Sequence, residues 1–133
     1  MKNDLIKLYF DGAAEPNPGS GGYGFLVQQN DKTIYSFGMS LGTPTTNNQA
    51  EHFGLLHGLT WLYQNGYSNS EILVYGDSTL VLNQIFGHWN CKAEHLKFIV
   101  QMSKELVKQF RNIKSDWIAS ENNPADYLSR LFM

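Results

Sequence analysis

The segment from Leu5 to Val27 constrains the fold of this chain more than any other stretch. It begins with an apolar run of strand-forming residues that carries one carboxylate, Asp11, into a turn rich in proline and glycine. A second apolar run begins at Tyr23, so the segment predicts two antiparallel strands. Because an isolated carboxylate is costly to bury, we expect Asp11 at the end of the first strand, either facing an open cleft or capping the turn.

Length and composition narrow the class of protein. The 133 residues, 42% of them hydrophobic, predict one domain over 1–133 with its own core. We expect no membrane span and no secretion signal. The single Cys91 cannot form an internal disulfide, and no Cys/His spacing indicates a zinc site, which favours a cytoplasmic setting. The net charge of −2 means that a nucleic-acid partner would have to be held by local contacts, metal ions or another module.

Apolar periodicity and turn residues predict the other elements. The expected strands lie at about 5–11, 23–29, 33–40, 71–77 and 113–119, and the expected helices at about 46–63, 78–85 and 93–111, with a last short helix opened by 120–126. This order is a three-stranded meander followed by βα units. A right-handed crossover can return the fourth strand beside the first, which places Asp11 and Asp77 at neighbouring strand ends.

Four carboxylates fall at junctions between the predicted elements: Asp11, Glu51, Asp77 and Asp126. If they converge without cations they repel one another, and some take up protons. Mg²⁺ prefers oxygen ligands, and a pair of such ions roughly 3.5–4 Å apart can activate a water and stabilise the leaving oxygen of a phosphodiester. Chain order alone does not establish that the four meet, so a metal cluster and separate surface acids both remain open at this point.

The local sequences around these acids are more specific. They are Asp11-Gly12 with Asn17-Pro18-Gly19-Ser20-Gly21-Gly22-Tyr23-Gly24, then Thr46-Asn47-Asn48-Gln49-Ala50-Glu51, Asp77-Ser78, and Asn122-Asn123-Pro124-Ala125-Asp126-Tyr127-Leu128-Ser129-Arg130. In this order, and over nearly the whole chain, the four blocks resemble type 1 ribonuclease H. The resemblance implies an α/β fold with a five-stranded mixed sheet in the order 3-2-1-4-5 and flanking helices. It also implies endonucleolytic hydrolysis of the RNA strand of RNA–DNA hybrids by a two-metal mechanism that leaves 5′-phosphate and 3′-hydroxyl ends.

The resemblance assigns roles residue by residue. The catalytic and metal-binding residues would be Asp11, Glu51, Asp77 and Asp126, holding two Mg²⁺ ions or Mn²⁺ in their place. The substrate-binding residues would be Asn17, Thr46, Asn47, Asn48, Ser78 and Trp89. Amides suit this task because they read groove edges and 2′-hydroxyls without adding charge. Trp89 is either a stacking surface for the DNA strand or a partly buried anchor. The expected partner is an RNA–DNA hybrid, with double-stranded RNA left open, and the expected state is a monomer without membrane contact.

Three departures from the family pattern affect these expectations. The loop 87–92 is too short and too weakly basic to be the lysine-rich protrusion of many members, which predicts modest affinity for the hybrid. No histidine lies between Trp117 and Asp126, where many members carry one that helps product or metal to leave. Glu121 is the nearest polar candidate for that role, with a plain surface residue as the alternative. Thr79 replaces a glutamine that contacts the minor groove in relatives.

Three other functions remain open from the sequence. The chain could be the ribonuclease H portion of a reverse transcriptase, which the short loop and the ending of the last block favour. It could also be a hybrid-binding module without turnover, or a domain that has only the family fold. A free-standing enzyme is expected to cleave alone, whereas an excised domain often needs its partner domain to grip the substrate.

Overall fold

A five-stranded mixed sheet in the order β3-β2-β1-β4-β5 forms the centre of the structure, a computed structural model that describes residues 4–131. The strands are β1 (Leu5–Glu15), β2 (Gly19–Gln29), β3 (Lys32–Thr45), β4 (Glu71–Gly76) and β5 (Asn112–Trp117). β1 pairs antiparallel with β2 and parallel with β4, and β5 continues the sheet parallel to β4. The fold class and strand order expected from the sequence are confirmed.

Helices cover both faces of the sheet. They are α1 (Asn47–Gln64), α2 (Thr79–Ile85), α3 (Glu94–Val107) and α4 (Asp126–Leu131), with a 3-10 turn at Ser120–Asn122. The two faces separate by alternation along β1: Phe10 packs in the main core with the leucines of α1, and Tyr9 packs against the small cluster around Leu128 of α4. Over residues 4–131, no helix combines the length and apolarity required to cross a membrane.

The start of α1 is fixed by a capping box. The Thr46 hydroxyl accepts a hydrogen bond from the Gln49 N–H at 3.1 Å, and the Gln49 side chain accepts one from the Thr46 N–H at 2.9 Å. Ser78 caps α2 in a similar way, because its hydroxyl accepts from the Val81 N–H. Both helices therefore begin where the sequence predicts, and each places its first turn next to a carboxylate.

The expected position of Asp11 at a strand end is wrong. β1 continues to Glu15 because residues 12–15 pair with the start of β2, from Gly12↔Tyr23 to Glu15↔Ser20. The parallel pairing with β4 ends earlier, at Tyr9↔Tyr75. Asp11 therefore lies within β1 but beyond the last residue of β1 that pairs with β4. On the side of β4, this leaves room for its carboxylate.

Other boundaries also differ from expectation: β2 begins four residues earlier than expected, and α3 and β5 end four and two residues earlier. The segment 42–45, expected to break the strand pattern, belongs to β3, which is an edge strand and so tolerates Pro44. The last helix begins only at Asp126, the final residue of the segment expected to open it, because the 3-10 turn and a further turn precede it. Asp126 is thereby the first residue of α4.

Glycines bring α1 against β1 next to Asp11. A Cβ atom on Gly12 would lie 2.2 Å from the Ala50 carbonyl carbon and 2.3 Å from the Glu51 backbone nitrogen. A Cβ atom on Gly54 would lie 2.8 Å from the backbone carbonyl oxygen of Asp11. No real Cβ approaches backbone atoms this closely, so each position requires glycine. The backbones touch at this point, and the contact sets how close Glu51 comes to Asp11.

The Gly12→Ala substitution is expected to destabilise the fold by about 3 kcal/mol, because backbone cannot move aside as a flexible side chain can. Urea unfolding of the two proteins measures the difference. Gly42→Ala is the matched control: its added Cβ meets nothing within 4 Å, and only its φ of +78° opposes the change, at a cost of about 1–2 kcal/mol. Equal losses at the two positions would contradict the close-contact account.

Candidate active site

Three carboxylates from three separate elements meet at one point. Asp11 comes from β1, Glu51 from the second turn of α1, and Asp77 from the residue that follows β4. One ligand oxygen from each lies within 4.8 Å of the other two. The parallel pairing of β1 with β4 and the Gly12 contact with α1 account for the convergence. The structure therefore brings together three of the four acids that the sequence singled out.

The environment of the cluster fits a metal ion. Asp11 and Glu51 are only 4% and 8% exposed. The Glu51 Oε1 atom is buried and has no hydrogen-bond partner among the described residues. A buried carboxylate oxygen left without a partner is costly. An all-oxygen donor set with such an atom suits a hard divalent cation, so the residues present match what this kind of ion requires.

Burial and mutual repulsion hold protons on the cluster when no cation is present. The pKa of Asp11 is raised from 3.8 to about 8, first by desolvation, then by a hydrogen bond with Asp126 and by the charge of Asp77. Desolvation followed by the charges of Asp11 and Asp77 raises the pKa of Glu51 well above its ordinary value. Negative charge on this site is therefore unfavourable at neutral pH unless a cation compensates it.

Asp126, the fourth predicted acid, lies beside the cluster. It is half-buried at the start of α4, and its carboxyl group is close enough to Asp11 to form a hydrogen bond with it. Both of its oxygens also lie 3.4 Å from the Arg130 Nε atom, one turn further along the helix. Asp126 is thus adjacent to Asp11 and outside the group of three that share a single centre.

Sequence reasoning missed three polar residues that contact these acids. Ser129 Oγ lies 3.2 Å from an Asp11 oxygen, Asn123 Nδ2 lies 3.5 Å from an Asp77 oxygen, and the Trp117 indole N–H donates to the Asp77 carbonyl at 3.1 Å. Ser129 and Asn123 stand inside the last motif block, so their position near Asp126 was the available signal. Their partners are at least 46 residues away along the chain, and only the folded structure identifies them.

The predicted substrate-binding residues do not all lie together. Four of them line one open cavity of about 450 Å³, together with residues at the start of α3: Asn17, Thr46, Asn47 and Asn48 with Pro18, Ala93, His95 and Leu96. The Asn17 side chain accepts from the Asn47 N–H at 2.9 Å, which ties the turn before β2 to the start of α1. His95, to which the sequence assigned no role, also faces this cavity.

The remaining predicted residues lie elsewhere. Ser78 follows Asp77 directly and caps α2, and its hydroxyl keeps a proton that it can donate. Trp89 is 49% exposed in the loop after α2, where its backbone N–H donates to the Asn83 carbonyl. Glu121 is exposed in the 3-10 turn. Of the helix α1 histidines, His52 bonds Gln84 and His57 bonds Tyr23, which are structural contacts.

Comparisons with known proteins agree with this geometry. Residues 9–131 match a family model described as "Reverse transcriptase-like". A ribonuclease HI from Rickettsia prowazekii is 35% identical, over 93% of this chain and 88% of its own length. A bifunctional protein of Mycobacterium tuberculosis is 34% identical over 95% of this chain, and the structure of its N-terminal RNase H domain has a TM-score of 0.88 at 32% identity, covering 95% and 91% of the two chains.

A third match is a complex with nucleic acid. The structure titled LC11-RNase H1 in complex with RNA/DNA hybrid has a TM-score of 0.86 at 28% identity, covering 96% of this chain and 95% of the other. The chain spans 34% of the length of the mycobacterial relatives, which are therefore much longer proteins.

The pH dependence of stability tests the electrostatics of the cluster. The histidines act in the opposite direction: desolvation lowers the pKa of His52 and His57, so near pH 6.5 the unfolded chain binds more protons at these two residues than the folded chain does. Their contribution to stability rises slightly with pH and is nearly complete by about pH 7.5. Asp11, with its raised pKa of about 8, binds more protons folded than unfolded between pH 6.5 and 8. Without metal, the decline from Asp11 exceeds the rise from the histidines, and the free energy of unfolding is expected to fall by about 1 kcal/mol over this interval.

Urea unfolding in EDTA at the two pH values measures this decline. Asp11→Asn removes one contributor, so it is expected to show a smaller decline and to be more stable than the unmodified chain at pH 8. Asp116→Asn, which changes an exposed acid on β5, is expected to keep the full decline. Stability that rises from pH 6.5 to 8 in the unmodified chain would contradict the account.

Proposed function

The chain belongs to the type 1 ribonuclease H family, and on that premise we propose that it is a metal-dependent endoribonuclease that hydrolyses the RNA strand of RNA–DNA hybrids. The observation that carries the proposal is the meeting of Asp11, Glu51 and Asp77 within 4.8 Å in a buried site. A binding module or a purely structural domain has no need of such a costly group of acids.

The donor set supports Mg²⁺ as the cofactor, with Mn²⁺ able to replace it. Asp11, Glu51 and Asp77 would hold one ion, and Asp11 with Asp126 a second. When bound, these ions supply a more acidic water and positive charge for the leaving oxygen. Glu51 would also contact a ribose 2′-hydroxyl near the scissile phosphate. In-line attack of water forms the new P–O bond and breaks the bond to O3′, which leaves a 5′-phosphate and a 3′-hydroxyl.

Local contacts, and not the overall charge of the protein, would bind the substrate. The cavity lined by Asn17, Thr46, Asn47 and Asn48 offers amides and a hydroxyl at the start of α1, on the same helix as Glu51. These groups suit phosphate, sugar and base edges without adding charge to a chain of net charge −2. The exposed Trp89 suits stacking. A monomeric state and a cytoplasmic location stay predictions. Glu121 stays a candidate for the release role beside the alternative of a plain surface residue, and action on double-stranded RNA stays an open question.

The proposal is tested by cleavage of an end-labelled RNA–DNA hybrid in Mg²⁺, Mn²⁺ or EDTA, beside RNA–RNA and DNA–DNA duplexes of the same sequence. We expect metal-dependent cuts confined to the RNA strand of the hybrid. Asp77→Asn is expected to reduce the rate at least 1,000-fold, because it removes a ligand charge at the reacting centre. Asp116→Asn, on the exposed side of β5, is the control and is expected to cleave normally.

Other outcomes distinguish the alternatives. Tight hybrid binding without cleavage, unchanged in Asp77→Asn, would identify a binding module. A folded protein that neither binds nor cleaves would contradict the proposal. Cleavage restored by adding the remainder of a longer polypeptide would identify the chain as an excised domain.

The role of Trp89 gives a separate prediction. Trp89→Ala is expected to raise the KM for a hybrid about 10-fold with little change in kcat, since one base–aromatic stack is lost away from the reacting groups. Steady-state kinetics at saturating metal measure both constants. Phe98→Ala is the matched control, because Phe98 is an aromatic residue of α3 that is 73% exposed and belongs to no site described above. An unchanged KM in Trp89→Ala would assign Trp89 to packing.

A further inference from the structure

We propose that Ser129 and Asn123 are positioning residues, neutral hydrogen-bond donors from the C-terminal segment that orient Asp11 and Asp77 for metal binding. The inference rests on the proposed function, because it concerns how the metal ligands of that site are held. The inference adds two residues to the four acids of the site. It also means that the segment 123–129 orients metal ligands in addition to supplying Asp126.

Ser129 reaches the centre of the cluster from inside the protein. Its side chain is fully buried on α4, and its hydroxyl oxygen lies 2.8 Å from the Asp126 carbonyl and 3.2 Å from Asp11 Oδ2. The bond to Asp126 is the local contact that a helical serine makes with an earlier carbonyl. The contact with Asp11 is not local, since it joins α4 to β1 across 118 residues of chain. The single hydroxyl proton can serve either oxygen, and an ionised Asp11 is the stronger acceptor.

Asn123 connects three parts of the site at once. It is 5% exposed, and its Nδ2 atom donates to the Phe10 carbonyl at 2.9 Å and lies 3.5 Å from Asp77 Oδ2. Its Oδ1 atom accepts from the Ala125 N–H at 3.0 Å, which fixes the turn that leads into α4. Phe10 directly precedes Asp11, so one amide links the backbone next to Asp11, the Asp77 carboxylate and the segment that carries Asp126.

The neutrality of both donors is what suits them to this place. A lysine or arginine would bind the carboxylates more strongly, but it would also cancel the negative charge that attracts a cation. A serine and an asparagine each take one oxygen of a carboxylate and leave its other lone pairs free. Partners of this kind orient metal ligands, and their removal weakens metal binding without removing any ligand.

The first test is Ser129→Ala, which removes one oxygen atom from a small buried side chain and is expected to leave the fold of the protein intact. Calorimetric titration of Mn²⁺ or Mg²⁺ into the protein without substrate measures affinity directly. We expect metal binding to weaken about 10-fold. Hybrid cleavage is then expected to need about 10-fold more metal, with kcat at saturating metal close to that of the unmodified enzyme. Asn123→Ala is expected to weaken metal binding in the same direction.

Ser103→Ala is the matched control. Ser103 is also a fully buried serine, on α3, and its hydroxyl has no hydrogen-bond partner within residues 4–131. The same atom is removed from a similar environment, so the control separates a general packing effect from an effect on the site. Its metal affinity is expected to equal that of the unmodified protein.

The outcomes are distinguishable. Weaker metal binding in Ser129→Ala, with Ser103→Ala unchanged, supports the inference. Unchanged affinity in Ser129→Ala, or a loss confined to urea stability, would overturn it and leave the proposed function standing. If the unmodified protein binds neither metal, the proposed function fails, and the positioning role fails with it.

Discussion

The structure depends on the contact between the backbones of β1 and α1 at Gly12. Because no side chain separates them, Glu51 lies within reach of Asp11 and Asp77 in a site where two of the three acids are almost fully buried. Such a group is costly for a folded chain to hold, and protons or cations must offset the cost. The group of acids is therefore suited to binding a cation, whose positive charge offsets the cost of burying them.

The surrounding elements hold this arrangement from several directions. β4 brings Asp77 alongside β1, the capping box fixes the first turns of α1, and α4 returns on the other face of the sheet to place Asp126. Ser129 and Asn123 join that last segment to the cluster. The site is thus built from elements distant in sequence, and the rigid sheet sets their mutual distances.

Much of this could be predicted from residues alone. The buried strand before Asp77 and the caps at Thr46 and Ser78 were expected, because they depend on local chemistry. The position of Asp11 was not, since its glycine- and proline-rich surroundings have the composition of a turn, yet they pair as strands once β2 and β3 extend beside them. The contact of Ser129 with Asp11 depends wholly on tertiary packing. The catalytic roles of the acids remain proposals that the geometry supports.

Because burial and mutual repulsion raise the pKa values of Asp11 and Glu51, we expect the acids to hold protons until a metal replaces them. Titration of Mg²⁺ at pH 7 in two buffers of different ionisation enthalpy measures the protons released on binding. With the pKa of Asp11 at about 8, we expect close to one proton from this residue alone and a further contribution from Glu51. Metal binding that releases no proton would contradict the account, because the acids would then have been ionised before the metal arrived.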